Sequence, residues 1–246
     1  MEQVAIPPAE LDQLLLNASP AILVGGQALA FWIALYAVAI DDAPVAVVTK
    51  DADFLGSRDD AVRLARAVGG SLEFPKGTTI LAGIVRKQVG PNRQYEVDVL
   101  RTLNGLSAAE VTKHAKEITD RVTGARYLVM SPVDCLISRL ENLRTIREKQ
   151  TDVGVWQVRA AVRVTRCYVE DLLARGEEKA AIRAATGILN ASTQPMGLNA
   201  FKKYEIDALE SIPLEDFQTK AFREQQWPRS VKRIKDLRTL TGQENR

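Results

Sequence analysis

Three aspartates and a pair of glycines carry most of the chemistry that this sequence offers. Asp51 and Asp53 stand two residues apart in Thr49-Lys50-Asp51-Ala52-Asp53-Phe54, at the end of a run that reads as a strand. Side chains alternate across a strand, so the two carboxylates share one face and Ala52 and Phe54 take the other. The apolar face serves a core. The acidic face repels itself unless solvent or a cation compensates it. A hard divalent cation such as Mg²⁺, bridging to a phosphate, is the natural partner. Asp98 belongs with this pair. In Gln94–Leu100, Tyr95, Val97 and Val99 face one way and Glu96 and Asp98 the other. Upstream, the apolar Ile22-Leu23-Val24 runs into Gly25-Gly26-Gln27 and then an apolar helix. A Gly-Gly turn alone is a strand-to-helix corner that needs small residues, and an Asp-x-Asp pair alone is common at strand ends. The specificity lies in their order, with each acid on the polar face of an otherwise apolar strand.

The elements that must position these residues are set by patterning. Pro7-Pro8 leads into a helix over Ala9–Asn17, with Leu11, Leu14 and Leu15 on one side, and Ser19-Pro20 closes it. Ala21–Val24 is apolar throughout and is expected as a strand buried on both faces. Gly25-Gly26 makes the turn, Gln27–Ala39 the helix, Asp41–Pro44 a loop, and Val45–Phe54 the strand with the acidic pair. Ser57, with Asp59 and Asp60, opens a helix over Asp59–Val68 that Gly69-Gly70 ends. Ser71–Phe74 is a brief strand. Ile80–Val89 and Gln94–Leu100 form two strands joined through Gly90-Pro91-Asn92-Arg93, read as a hairpin with a longer loop. Ser107 caps a helix to Ala115, with Glu110 at the capping-box position, and Tyr127–Met130 is the last strand.

From Pro132 onward the strand signals vanish. Helical periodicity covers Pro132–Ile146, Val153–Arg175, Glu177–Asn190, Leu198–Leu209, Leu214–Gln225 and Pro228–Leu240. The expected fold class is therefore α/β, of the α+β kind. A mixed-sheet domain over residues 1–130 precedes an all-helical C-terminal domain over residues 131–246.

Composition narrows the function classes. The 246 residues are 46% hydrophobic, enough for a sizeable core. A net charge of +2 provides no global field toward nucleic acid or membrane, so any basic surface is local. Lys232, Arg233, Lys235 and Arg238 near the C-terminal end read first as a solvated helix face and second as an RNA contact. Cys135 and Cys167 fall in helical segments and read as buried free thiols, which fits a reducing, cytoplasmic setting. With one histidine, His114, in a polar surface helix, a zinc site does not fit. Met1–Pro8 has no basic start followed by an apolar run, so no secretory signal is expected. Ala21–Ile40 is interrupted by Gly25-Gly26-Gln27 and closed by Asp41-Asp42, with no basic flank. It reads as strand, turn and helix, with Trp32 in the core, and not as a membrane span.

A strand, a Gly-Gly turn, a helix, an Asp-x-Asp strand and a third aspartate on a later strand together resemble the nucleotidyltransferase superfamily of the polymerase-beta-type fold. Gly25-Gly26-Gln27-Ala28-Leu29 followed by Thr49-Lys50-Asp51-Ala52-Asp53 is most similar to the bacterial abortive-infection and toxin-type members, and also resembles the small-molecule antibiotic nucleotidyltransferases. The resemblance covers residues 20–150, and the helical remainder matches in character only. It implies a mixed-sheet nucleotidyltransferase domain ahead of the helical one. It also implies that Gly25 and Gly26, with Gln27, lie at the nucleotide phosphates. Asp51 and Asp53 become a Mg²⁺ pair, and Asp98 a third carboxylate that helps hold metal and deprotonates the acceptor. Arg139, Arg144, Arg147, Lys149 and Asp152 stand where such families hold the triphosphate, with Lys149 and Asp152 the expected nucleotide contacts.

The activity that the resemblance implies is a transfer of nucleoside monophosphate from a nucleoside triphosphate to an RNA or small-molecule acceptor, with release of pyrophosphate. A toxin–antitoxin or phage-defence setting with a cognate antitoxin protein, and no membrane partner, goes with it. The chain departs from the pattern at Val47, where the closest branch often has Arg, and at Gln27, where many members have Ser or Thr. Val47 favours the alternative, a catalytically silent nucleotide-sensing or partner-binding member of the same fold.

Overall fold

Polar–apolar alternation in the central strands builds a mixed eight-stranded sheet. The structure is a computed structural model and describes residues 1–39, 51–77, 79–120 and 124–243. Its strands are β1 (Glu2–Gln3), β2 (Ile22–Val24), β3 (Ala52–Leu55), β4 (Ser71–Glu73), β5 (Leu81–Gly90), β6 (Arg93–Leu100), β7 (Lys116–Thr119) and β8 (Arg126–Val129). The sheet order is β4-β5-β6-β3-β2-β8-β7, with β1 alongside the first residues of β6. Strand β6 is parallel to β1 and β3 and antiparallel to β5. Strand β2 is antiparallel to β3 and parallel to β8. The chain is thus mixed α/β.

One face of the sheet is the core. Ala52 and Phe54 of β3 are in register with Val97 and Val99 of β6, Val85 of β5 is paired with Val97, and all five are fully buried. Helices α1 (Pro8–Ala18) and α3 (Arg58–Val68) pack on each other, α3 against β5 and β6 and α1 against β2 and β8. Leu14 and Ala18 of α1, with Ala61, Leu64, Ala65 and Val68 of α3, supply the buried stripes. Each large apolar side chain so buried contributes about 1.5–3 kcal/mol. Glu10 of α1 accepts from Lys87 Nζ at 2.5 Å and from the buried Tyr95 hydroxyl at 3.1 Å, which ties the helix to β5 and β6. Helix α3 begins with a capping box between Ser57 and Asp60 and ends at Gly69 in the left-handed conformation, φ 63°. The short helix α4 (Ala108–His114) has the expected Ser107–Glu110 box.

The sequence reading is corrected at several places. Strand β3 runs only from Ala52 to Leu55, so Asp51 stands just before it, and 45–50, including Val47, lie outside the described residues. The expected loop at Asp41–Pro44 also lies outside them. Helix α2 covers Gly25–Leu35, starting earlier and ending earlier than expected; Ala37, with φ 48°, breaks it. The β5–β6 hairpin turns in two residues, with Asn92 in the left-handed region at φ 60°. Strands β1 and β7 have no alternation long enough to be read.

By packing, the chain divides into two compact units, Met1–Phe31 with Val45–Cys135 and Trp32–Pro44 with Leu136–Arg246. The second is helical among its described residues. Most of α5 (Pro132–Thr145), then α6 (Asp152–Ala174), α7 (Glu178–Thr193), α8 (Pro195–Tyr204) and α9 (Trp227–Gln243), surround a core that includes Val164, Val169, Ile188, Phe217 and Phe222. Trp32 is buried and stacks on Tyr36. Two continuous helices expected here are broken. Glu205 at φ 54° ends α8, and Asp207 accepts from Leu209 N to start a 3-10 turn at Ala208–Ser211. Pro213 is followed by another 3-10 turn, and a π-helical turn over Ala221–Gln226 leads into α9. Cys135 is buried and Cys167 half-buried, and neither is in a disulfide. Among the described residues, no helix is long and apolar enough to cross a membrane.

Candidate functional site

The polar face of β3 and β6 is built by the same alternation that builds the core. Asp53 and Asp98 are register partners on adjacent parallel strands. Their neighbours Ala52, Phe54, Val97 and Val99 point into the core, so both carboxylates are obliged to point away from it. Glu96 lies two residues before Asp98 on the same face. Asp51, just ahead of β3, accepts from Gln3 Nε2 at 2.6 Å. Four acids thus gather at the β3–β6 junction.

Gly25 fixes the approach of α2 to this group. The chain leaves β2 at Val24, the register partner of Asp53, and enters the helix at once through Gly25 with φ 68°. A Cβ on Gly25 would lie 2.0 Å from Asp53 Oδ2. Two independent constraints therefore require glycine, the left-handed backbone and the carboxylate in the space a side chain would take. Gly26 is buried and Gln27 half-buried in the first turn of α2, so the corner is made by Gly25 alone.

Electrostatics single out Asp98. Its carboxyl is pushed up to about 7 by burial, then by the charges of Asp53, Glu96 and Asp51, with Arg86 opposing. Arg86 compensates weakly because it is already engaged: Nε donates to Glu96 at 2.7 Å and Nη1 to Glu73. Asp98 Oδ1 is closed to solvent and has no hydrogen-bond partner among the described residues. A buried acceptor without a donor, among like charges, is costly unless a cation or proton completes it. That orphaned oxygen beside Asp53 fits a hard cation with oxygen ligands. Among the described residues, no three His, Cys, Asp or Glu side chains form a preset metal cage. The fit therefore rests on the Asp53–Asp98 pair and the orphaned atom.

The other expected site residues belong to the helical unit. Lys149 ends a 3-10 turn at Arg147–Lys149 and is exposed; Asp152 is the first residue of α6 and is also exposed. An acid there suits the helix N-terminus, where Thr151 caps Gly154 N at 3.3 Å. Arg144 is held by Glu141 at 3.0 and 2.6 Å. Arg139 is buried, with Nη1 3.2 Å from Gln157 Oε1. Gly154 has its own structural reason: a Cβ would meet the Lys149 carbonyl at 1.8 Å. His114 lies 3.3 Å from the buried Asp134, which also accepts from Ser131 Oγ at 2.8 Å. Gln3 and Arg86 were not anticipated as site neighbours. Arg86 could have been found as the one cation within the Ile80–Val89 strand reading that pairs across the hairpin with an acid of β6.

No family model, curated protein or solved structure matches this chain.

Proposed function

We propose that the chain is a Mg²⁺-dependent nucleotidyltransferase, moving a nucleoside monophosphate from a nucleoside triphosphate to an acceptor hydroxyl of an RNA or small molecule. The observation that carries this reading is the Asp53–Asp98 register pair, with an orphaned Asp98 oxygen and with Gly25 opening α2 against Asp53. Asp51, Asp53 and Asp98 are the residues that would hold Mg²⁺. Bound there, it would supply charge compensation for phosphoryl oxygens. Asp98 is the group that would take the acceptor proton; without metal, burial and the neighbouring acids raise its proton affinity. The acceptor oxygen bonds to the α-phosphorus, the bond to the bridging oxygen breaks, and pyrophosphate leaves with that electron pair. Gly25 and Gly26, with Gln27, stay candidates for phosphate contact through the resemblance, with the Asp53 carboxylate filling the space beside Gly25. Lys149 and Asp152 stay candidates for nucleotide contact through the resemblance alone.

The test is incubation with each α-labelled nucleoside triphosphate, Mg²⁺, and total RNA or hydroxyl-bearing small molecules. Label transfer with pyrophosphate release, lost in Asp53→Asn, is the expected result. Nucleotide binding without turnover by the wild-type chain would instead favour a catalytically silent sensor or a partner of an antitoxin protein. Val47, in place of an expected Arg, is the feature that speaks for that second reading.

A further inference from the structure

A second segment reaches the acidic face from the other end of β6. Strand β5 occupies one edge of β6 along its whole length. The opposite edge is shared: β1 pairs at Arg93 and Gln94, and β3 pairs from Val97 to Leu100. Both run parallel to β6, so β1 ends where β3 begins, and the seam falls at Tyr95 and Glu96. Register partners on adjacent strands present their side chains on the same face. Gln3, opposite Gln94, therefore joins Glu96 and Asp98. At the seam its Nε2 donates to Asp51 Oδ1 at 2.6 Å. The strand that carries it is fixed by main-chain bonds, Glu2 N to Asn92 O at 2.7 Å and Val4 N to Gln94 O at 2.9 Å, and Ile6 beyond it is buried.

We infer that Gln3 is a positioning residue that holds the Asp51 carboxylate against the repulsion of its neighbours, so that the N-terminal strand completes the acidic site. The inference rests on reading that face as a cation site. Asp51 stands one residue outside β3, two from Asp53, and like charges so placed favour turning apart. An amide donor occupies one lone pair of a carboxylate that has about four acceptor sites. It adds no positive charge, so the cation keeps its attraction. Lysine in the same place would neutralise Asp51 and compete with the cation, and glutamate would add repulsion and bring no donor.

The test uses the full chain and Mn²⁺ as probe, with free Mn²⁺ read by electron paramagnetic resonance and stability by thermal melting. Gln3→Ala should weaken Mn²⁺ binding about 3- to 10-fold, the size expected from one lost hydrogen bond, and Gln3→Lys more. In an Asp51→Ala background, Gln3→Ala should cost nothing further. Wild-type affinity in Gln3→Ala overturns the inference, and so does an equal loss in both backgrounds, because that is what a general loosening of β1 would produce. If the wild-type chain binds no Mn²⁺, the cation reading itself falls. The Gln3–Asp51 link is then judged by melting temperatures, which are non-additive if Gln3 holds Asp51 and additive if it does not.

Discussion

Asp60 and Asp98 are two carboxylates of the same unit, both drawn away from water, and their proton affinities move in opposite directions. Burial raises both. At Asp60 the Ser57 N–H at 2.6 Å, the Ser57 hydroxyl at 2.8 Å and the Arg63 guanidinium outweigh it and hold the carboxyl below its ordinary range. Arg63 is itself fixed by the carbonyls of Asn17 and Ala18 at the end of α1. Asp60 is a finished structural corner. At Asp98 the neighbours are three acids, Arg86 is engaged by other carboxylates, and one oxygen has no donor among the described residues. Burial alone therefore does not mark a functional carboxylate. What separates the two is the company: donors and a guanidinium at Asp60, other carboxylates at Asp98.

The comparison breaks most visibly in turnover. Asp98→Asn keeps the shape but removes the proton acceptor, and should lower the proposed transfer rate by about 10²–10⁴-fold, with a smaller loss of nucleotide affinity by calorimetry. Asp60→Asn should leave turnover per folded molecule unchanged. A wild-type rate in Asp98→Asn would remove Asp98 from the base role. The converse holds for stability. Asp60→Ala loses the carboxylate half of the α3 capping box and the Arg63 contact and should cost about 2 kcal/mol, or about 4–8 °C in melting temperature. An unchanged melt would mean that the α1–α3 corner does not depend on Asp60.

Gly25→Ala tests whether the site and the fold are coupled at the turn. The left-handed backbone alone costs about 1 kcal/mol for alanine, and the new Cβ would displace Asp53 Oδ2. Melting temperature and Mn²⁺ affinity should both fall. Gly26→Ala, inside the first turn of α2, should disturb the melt less. Equal effects at the two glycines would contradict the assignment of the corner to Gly25.

The sequence made the two faces of β6 legible because strict alternation from Tyr95 to Val99 is a strong signal. It was equally direct for the helix start at Ser57, the capping box at Ser107 and the Gly-Gly corner. It could not say which glycine turns, because that depends on the β2–β3 register that sets Val24 against Asp53. Gln3 was hidden for a similar reason. A two-residue strand has no period of its own, and its place is set by a distant partner, β6. The Asp98 environment depends on Arg86 being occupied by Glu73 and Glu96, a fact of side-chain geometry that no spacing encodes. In the helical unit periodicity found the long helices, but the backbone leaves helical geometry at Glu205 and again at Phe217, which divides two of them.

The smallest expected effect is the most specific to the comparison. The Asp98 carboxyl is raised from 3.8 to about 7, so between those values the folded chain holds a proton that the unfolded chain has released. Stability contributed by such a group is fully present below the unfolded value and is lost as pH rises toward 7. Asp60, held low, behaves oppositely: its contribution is complete above the unfolded value and is lost only as pH falls through its folded one. The two windows do not overlap. Asp134 is also raised by burial and gives a slope of the same sign as Asp98, so the wild-type curve alone is not diagnostic. The difference between wild type and Asp98→Asn is. Without divalent cation, Asp98→Asn should gain on wild type between about pH 4 and 7 and then hold a constant margin, about 2–4 °C for each kcal/mol. Mg²⁺ should shrink that margin at pH 7.5 by stabilising only the wild-type carboxylate. A flat difference across the range would mean that Asp98 is compensated in solution, and the contrast with Asp60 would disappear.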